Sequence, residues 1–210
     1  MDGLISDGKI IKNTYEVDRL IGSGTFGEVY RVTHKYLGNQ ALKVLKPDML
    51  KEAEQNTFIN EATILSNITH PNVVRVYDAN YFRFNKEKLY YISMEFVSGE
   101  TLLRLLERKT KLNIEVALSI QKDICAGLSI AHQQNPAVIH RDIKPHNILL
   151  SYDTSIPTAK ISDFGVAKAV DPDMLITDSA GTIMFCLPKA LWEFKIPKVI
   201  YSLRALFFTR

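Results

Sequence analysis

The sequence predicts an α+β fold: several strands with one long helix, followed by a mainly helical stretch. Three observations carry this expectation. Apolar and polar residues alternate in several runs before residue 97. Helical spacing takes over between residues 101 and 134. Beyond it lie two short blocks unsuited to regular helix, residues 140–147 and 163–165, rich in acid, amide, proline and glycine.

Composition narrows the class. At 210 residues, 46% hydrophobic and 23% charged, the chain has the make-up of an ordinary globular protein with room for one large or two small cores. A net charge of +3 is too small to argue for nucleic acid or an acidic membrane as partner. No apolar run reaches the ~18 residues of a membrane span, and the first residues lack a signal-peptide pattern. Cys125 and Cys186 have no C-x-x-C spacing, so the expectation is reduced thiols in an intracellular setting and no zinc.

Residues 1–13 read as a lead-in. Tyr15-Glu16-Val17-Asp18-Arg19-Leu20-Ile21 alternates as a strand. Gly22, Gly24 and Gly27 follow, and then Glu28-Val29-Tyr30-Arg31-Val32 alternates again. A bare G-x-G-x-x-G also suits a dinucleotide fold, but that site opens a helix at the glycines. Here a strand follows, which makes the glycines the tip of a hairpin whose N–H groups can approach phosphates without an intervening Cβ.

Gln40-Ala41-Leu42-Lys43-Val44-Leu45 is the next strand. Lys43 interrupts it and needs an anionic partner if it faces inward; on an edge strand it would face water. Residues 48–68 have helical spacing, with Phe58, Ala62 and Leu65 on one face and Glu52 and Glu54 solvated. His70 marks a turn before a strand at residues 73–77, and residues 89–97 form another strand that runs into a linker at Ser98-Gly99. Helices are expected at residues 101–108 and 114–134, separated by Lys109-Thr110-Lys111. His132, Ser129 and Cys125 show no neighbours that would give them catalytic chemistry.

The block His140-Arg141-Asp142-Ile143-Lys144-Pro145-His146-Asn147 is followed by the apolar Ile148-Leu149-Leu150, and Asp163-Phe164-Gly165 is preceded by Ala159-Lys160-Ile161. A loop clamped between short buried strands holds its side chains still. The residue types suit phosphoryl transfer. Asp163 and Asn147 offer hard oxygens for Mg²⁺, Asp142 can accept a hydroxyl proton, and Lys144 can neutralise the moving phosphoryl group.

At this point the chain resembles the eukaryotic-type, or Hanks-type, serine/threonine protein kinase family. The block at residues 140–147 is similar to H-R-D-x-K-x-x-N and residues 163–165 to D-F-G. Gly22, Gly24, Gly27 and Val29 match G-x-G-x-x-G-x-V, and Ala41-Leu42-Lys43 resembles V-A-I-K. The resemblance implies a bilobal protein-kinase-like fold, an antiparallel sheet with one helix before a mainly helical lobe, that binds ATP and Mg²⁺ and phosphorylates serine or threonine in a protein substrate in the cytoplasm. Lys43, oriented by Glu61, would grip the phosphates, and Asn147 and Asp163 would hold the metal. Ile21, Val29, Ala41 and Leu149 would line the nucleotide site, Met94 would back the adenine, and Glu95 and Val97 would offer backbone contacts. Asp142, Lys144 and Asn147 form the implied catalytic set. The polar stretch 171–181 resembles an activation loop, with Thr177, Ser179 and Thr182 open to autophosphorylation and Arg141 placed to pair with a phosphate there.

The resemblance covers roughly residues 10–185. Leu187-Pro188-Lys189 stands where the family has A-P-E, Val199 replaces an expected aspartate, and Arg204 replaces a glycine. The expected domains are therefore residues 1–97, with the lead-in 1–13, and an incomplete mainly helical lobe over 98–210. Two other readings remain: a catalytically inactive kinase-like module that binds nucleotide or a partner, and a small-molecule phosphotransferase. Lys144, the loop glycines and Thr182 count against the second of these.

Overall fold

A computed structural model describes residues 3–47, 49–51, 54–109, 112–135 and 137–164. The architecture is α+β, as the hydrophobic pattern predicts. The larger sheet holds β1 (Ile10–Ile11), β2 (Tyr15–Ser23), β3 (Gly27–His34), β4 (Gly38–Leu45), β5 (Val76–Phe84) and β6 (Glu87–Glu95). Its order is β1-β2-β3-β4-β6-β5, antiparallel throughout. The second sheet joins β7 (Gly99–Thr101), β8 (Ile148–Ser151) and β9 (Thr158–Ile161) in that order.

The strand period of two sorts each strand between two cores. On β4 and β6, Leu42, Val44, Leu89 and Tyr91 turn to one face, while Ala41, Leu45, Tyr90, Ile92 and Met94 turn to the other. The second face is covered by α1 (Gln55–Ser66), which inserts Phe58 and Ala62 there at the expected helical spacing, while Leu65 of the same helix joins the core around Ile68 and Val73. Phe58 meets Tyr90 edge to face, with ring centroids 5.8 Å apart. Each such side chain taken out of water contributes about 1.5–3 kcal/mol. The helix begins at Gln55 and not at residue 48; in the described residues before it, the Glu54 carboxylate accepts from the Lys51 N–H at 3.0 Å.

The lead-in is structured: Ile5 and Ile11 are buried with Tyr30 and Val32, closing the first face of the sheet, and β1 pairs with β2. The strand expected at residues 73–77 begins only at Val76 and runs on to Phe84. Asp78 and Asn80 obscure its alternation, but the Asp78 carboxylate accepts the Tyr91 hydroxyl at 2.7 Å, so the acid is accommodated. Asn85 and Lys86, with φ of 49° and 72°, form the tight turn into β6.

Residues 72–74 pair with the second sheet instead. Ile161 donates its N–H to Asn72 O at 2.9 Å, Val74 donates to Ile161 O at 2.8 Å, and the Asn72 side chain donates to Ala159 O at 2.9 Å. The segment stitches the two halves together beneath α1. Below it lies α2 (Leu102–Arg108), capped by the Thr101 hydroxyl, and then α3 (Ile114–His132), capped by the Asn113 side chain. Ile120, Ile124, Leu128 and Ala131 of α3 pack on Ile148, Leu150, Ala159 and Ile161. Gly127 lets α3 approach: a Cβ there would lie 2.6 Å from Asn72 O.

Candidate active site

The glycines occupy the β2–β3 hairpin tip, where the Gly24 N–H donates to Gly27 O at 2.9 Å. They are glycines for different reasons. A Cβ at Gly27 would lie 2.4 Å from Val44 O, so the fold itself demands glycine. Around Gly22 and Gly24 nothing comes nearer than 3.9 Å, so packing makes no such demand. Space left bare at a loop tip is what close approach of a ligand to the backbone requires.

Lys43 lies on β4, between β3 and β6, so the edge-strand alternative falls away. Its side chain is 13% exposed and its Nζ donates to Asp163 Oδ1 at 2.7 Å, across 120 positions of sequence. Glu61 is half-buried on α1 beside the buried Ala62, and the Lys43 ammonium meets the carboxylate of Asp163. Ala41 pairs with Met94 across the sheet. Val29, Ala41, Met94, Val97 and Leu149 belong to a single apolar cluster, while Ile21 lies apart from it, on β2, at 38% exposure.

Beside Met94 the chain leaves the sheet. The Glu95 N–H is taken by Arg75 O at 2.8 Å, and its carboxylate pairs with Lys160 at 2.8 Å. The guanidinium of Arg31 lies over the Phe96 ring, 5.3 Å from its centre. The backbone of Val97 makes no hydrogen bond among the described residues. Behind Met94 and Asp163 a cavity of about 20 Å³, lined also by Val74, Ile92 and Phe164, has room for about one water.

The block at residues 140–147 is built around Asp142. Lys144 Nζ lies 2.6 Å from Asp142 Oδ2. The Asn147 amide donates both to Asp142 O at 2.8 Å and to Asp142 Oδ2 at 3.0 Å. With its N–H groups so engaged, Asn147 keeps its carbonyl oxygen for a cation. Pro145 opens a 3₁₀ turn over residues 145–147, and β8 begins directly after it. Arg141 and Asp163 both take left-handed backbone, φ 66° and 61°, a conformation uncommon outside glycine that clusters at functional sites.

His140 joins the two blocks. It is buried, its Nδ1 accepts the Asp142 N–H at 3.3 Å, and its Nε2 bonds Ser162 O at 2.8 Å. That pattern fixes the tautomer with the proton on Nε2. Burial holds the imidazole below its ordinary value of 6.5, so it stays neutral. Its ring meets Phe164 at 4.6 Å. Ser162 completes the clamp, donating its N–H at 2.9 Å and its hydroxyl at 3.1 Å to Asn147 O.

These contacts bring Lys43, Asp163, Asp142, Lys144 and Asn147 from three distant segments into one assembly. Ser162, Lys160 and Asn72 are positioning residues that the sequence reading passes over. Only Lys160 leaves a signal, as a charge alternating within a buried strand. Gly165 and the residues beyond it, including Thr177, Ser179, Thr182, Cys186, Lys189, Val199 and Arg204, lie outside the described residues.

Comparison with known proteins decides the family, because the protein kinase domain matches residues 15–203 of this chain. The chain belongs to the protein kinase family. A probable serine/threonine-protein kinase of Clostridium perfringens is 38% identical over 167 residues, 78% of this chain and 23% of that protein. Serine/threonine-protein kinase PrkC of Bacillus subtilis is 36% identical over 186 residues, 87% of this chain and 27% of that protein. The chain thus spans about a quarter of the length of each of these two relatives. The crystal structure of the PknI kinase domain of Mycobacterium tuberculosis is similar at a TM-score of 0.65 and 28% identity, over 77% of this chain and 63% of that one. The kinase family match continues past residue 185, where the motif-by-motif likeness weakens. No helix among the described residues is long and apolar enough to cross a membrane.

Proposed function

We propose that this kinase-family chain is an ATP-dependent serine/threonine protein kinase. The observation that carries the reading is the Lys43–Asp163 bond, which ties the phosphate-facing lysine of the large sheet to the block holding Asp142, Lys144 and Asn147. In this reading Gly22, Gly24 and Gly27 cover the triphosphate, and Lys43, with Glu61 on the neighbouring helix, binds it. Ile21, Val29, Ala41, Met94 and Leu149 enclose the adenine, and the backbone of Glu95 and Val97 meets its polar edge. Residues 1–97, lead-in included, act as the smaller lobe and residues 98–210 as part of the larger.

The donor set fits Mg²⁺: Asp163 and Asn147 present hard oxygens, and two protein ligands beside substrate phosphates are what that ion usually takes. Bound there, Mg²⁺ supplies charge neutralisation of the phosphates. Asp142 orients the acceptor hydroxyl and takes its proton as the oxygen–phosphorus bond forms and the bond to the β-phosphate oxygen breaks, releasing ADP. Lys144, already within 2.6 Å of that carboxylate, lies where it can neutralise the transferring group. Autophosphorylation at Thr177, Ser179 or Thr182, and an intracellular setting, go with this reading.

The test is transfer of the γ-phosphoryl group of ATP to a generic protein substrate. Turnover that disappears in Asp142→Asn supports the kinase. Nucleotide binding without turnover in the parent chain would favour the non-catalytic module, for which Lys189 in place of the usual glutamate is the specific sequence observation.

A further inference from the structure

The glycine hairpin has a side-chain tether that the family motif does not include. Lys46 follows β4 directly, three positions after Lys43. Its N–H donates to Phe26 O at 3.1 Å, and its ammonium donates to Gly24 O at 2.8 Å. Among the described residues Lys46 has no carboxylate partner. The tip it holds has little other restraint from packing, since nothing comes nearer than 3.9 Å to where a Cβ would stand at Gly22 or Gly24.

We propose that Lys46 is a positioning residue that fixes the height of the glycine hairpin over Lys43 and so sets the affinity for the nucleotide triphosphate. The proposal rests on the kinase reading of the site. Its chemistry is local. The ammonium occupies the carbonyl of a peptide whose neighbours must turn their N–H groups toward an anion, and it adds a positive charge at the rim. Lys46 is half-buried and lies just past the end of β4, so its truncation removes no buried apolar side chain while freeing the tip.

The experiment compares the parent chain with Lys46→Ala and Lys46→Arg. Without nucleotide, amide exchange at residues 24–27 is expected to quicken in the alanine variant by about three- to tenfold, the loss of one charge-assisted bond at the surface. KM for ATP is expected to rise by about the same factor with kcat within about twofold, and the arginine variant to recover most of both. The unfolding midpoint without nucleotide should stay where it was. An alanine variant whose hairpin exchange and KM match the parent would overturn the role of Lys46 alone. So would a lowered unfolding midpoint with KM unchanged. A parent chain whose unfolding ignores Mg²⁺-ATP would overturn the kinase reading and this role with it.

Discussion

At Asp142 an ammonium and an amide both meet the same carboxylate oxygen, Oδ2, which leaves the group positioned but not buried. Replacing it with asparagine keeps the shape and removes the proton acceptor. We expect Asp142→Asn to lose about 10²–10⁴ in turnover while retaining any nucleotide-dependent rise in unfolding temperature; equal loss of both would point to collapse of the loop. His140 gives a pH signature. Its folded-state value lies below the ordinary 6.5, so the unfolded chain takes up a proton first as pH falls. Stability from this group is complete above about pH 6.5 and declines as pH drops toward the folded-state value. Urea unfolding between pH 7.5 and 5 should show that decline, and His140→Gln should flatten it. The residue types of this site were legible in the sequence because phosphoryl transfer needs acid, amide and lysine at fixed offsets. The clamp through Ser162 was not, since a serine engaging a backbone carbonyl 15 positions away leaves no local pattern.

The glycine hairpin separates fold from function at the level of an element. Gly27→Ala drives a Cβ to 2.4 Å from Val44 O, against backbone that β4 cannot easily move. Denaturant titration should show a loss of about 1–3 kcal/mol, the usual scale of overpacking. Gly24→Ala meets open space and should leave stability within about 0.5 kcal/mol while weakening ATP binding. If both variants behave alike, the three glycines share one role. Sequence alone shows three glycines and no difference between them. It likewise places α1 by the period of Phe58, Ala62 and Leu65, yet misplaces β5, because Val73 and Val74 satisfy a strand pattern while pairing with the other sheet. Local alternation tells that a segment is extended, and not which partner it joins.

Across the whole molecule, the two sheets are tied by a few long-range bonds: Lys43 to Asp163, Lys160 to Glu95, and Asn72 to Ala159 and Ile161. The α+β class was readable from the shift in hydrophobic period; these ties, set by three-dimensional proximity, were not. Asn72 is buried, and Asn72→Ala would leave the Ala159 carbonyl without that donor. Chemical denaturation should register a loss of about 1–3 kcal/mol. Thermal unfolding with Mg²⁺-ATP reads the assembly as one unit: nucleotide at about 100 times its Kd should add about 2.7 kcal/mol. A cooperative transition that rises with nucleotide indicates that both sheets contribute to one site.

The amino-terminal segment has a reach beyond its packing. Leu4 donates its N–H to Glu28 Oε2 at 2.7 Å, and Ile5 donates to the Tyr30 hydroxyl at 3.0 Å, while Tyr30 also bonds Glu28. Glu28 is the residue directly after Gly27. A displacement at Leu4 or Ile5 is therefore passed to the strand directly after the glycine hairpin tip, like a pull on a cord. On the kinase reading proposed above, an affinity handle fused just ahead of Gly3 is expected to change the apparent affinity for ATP, and titration of tagged against untagged chain checks it.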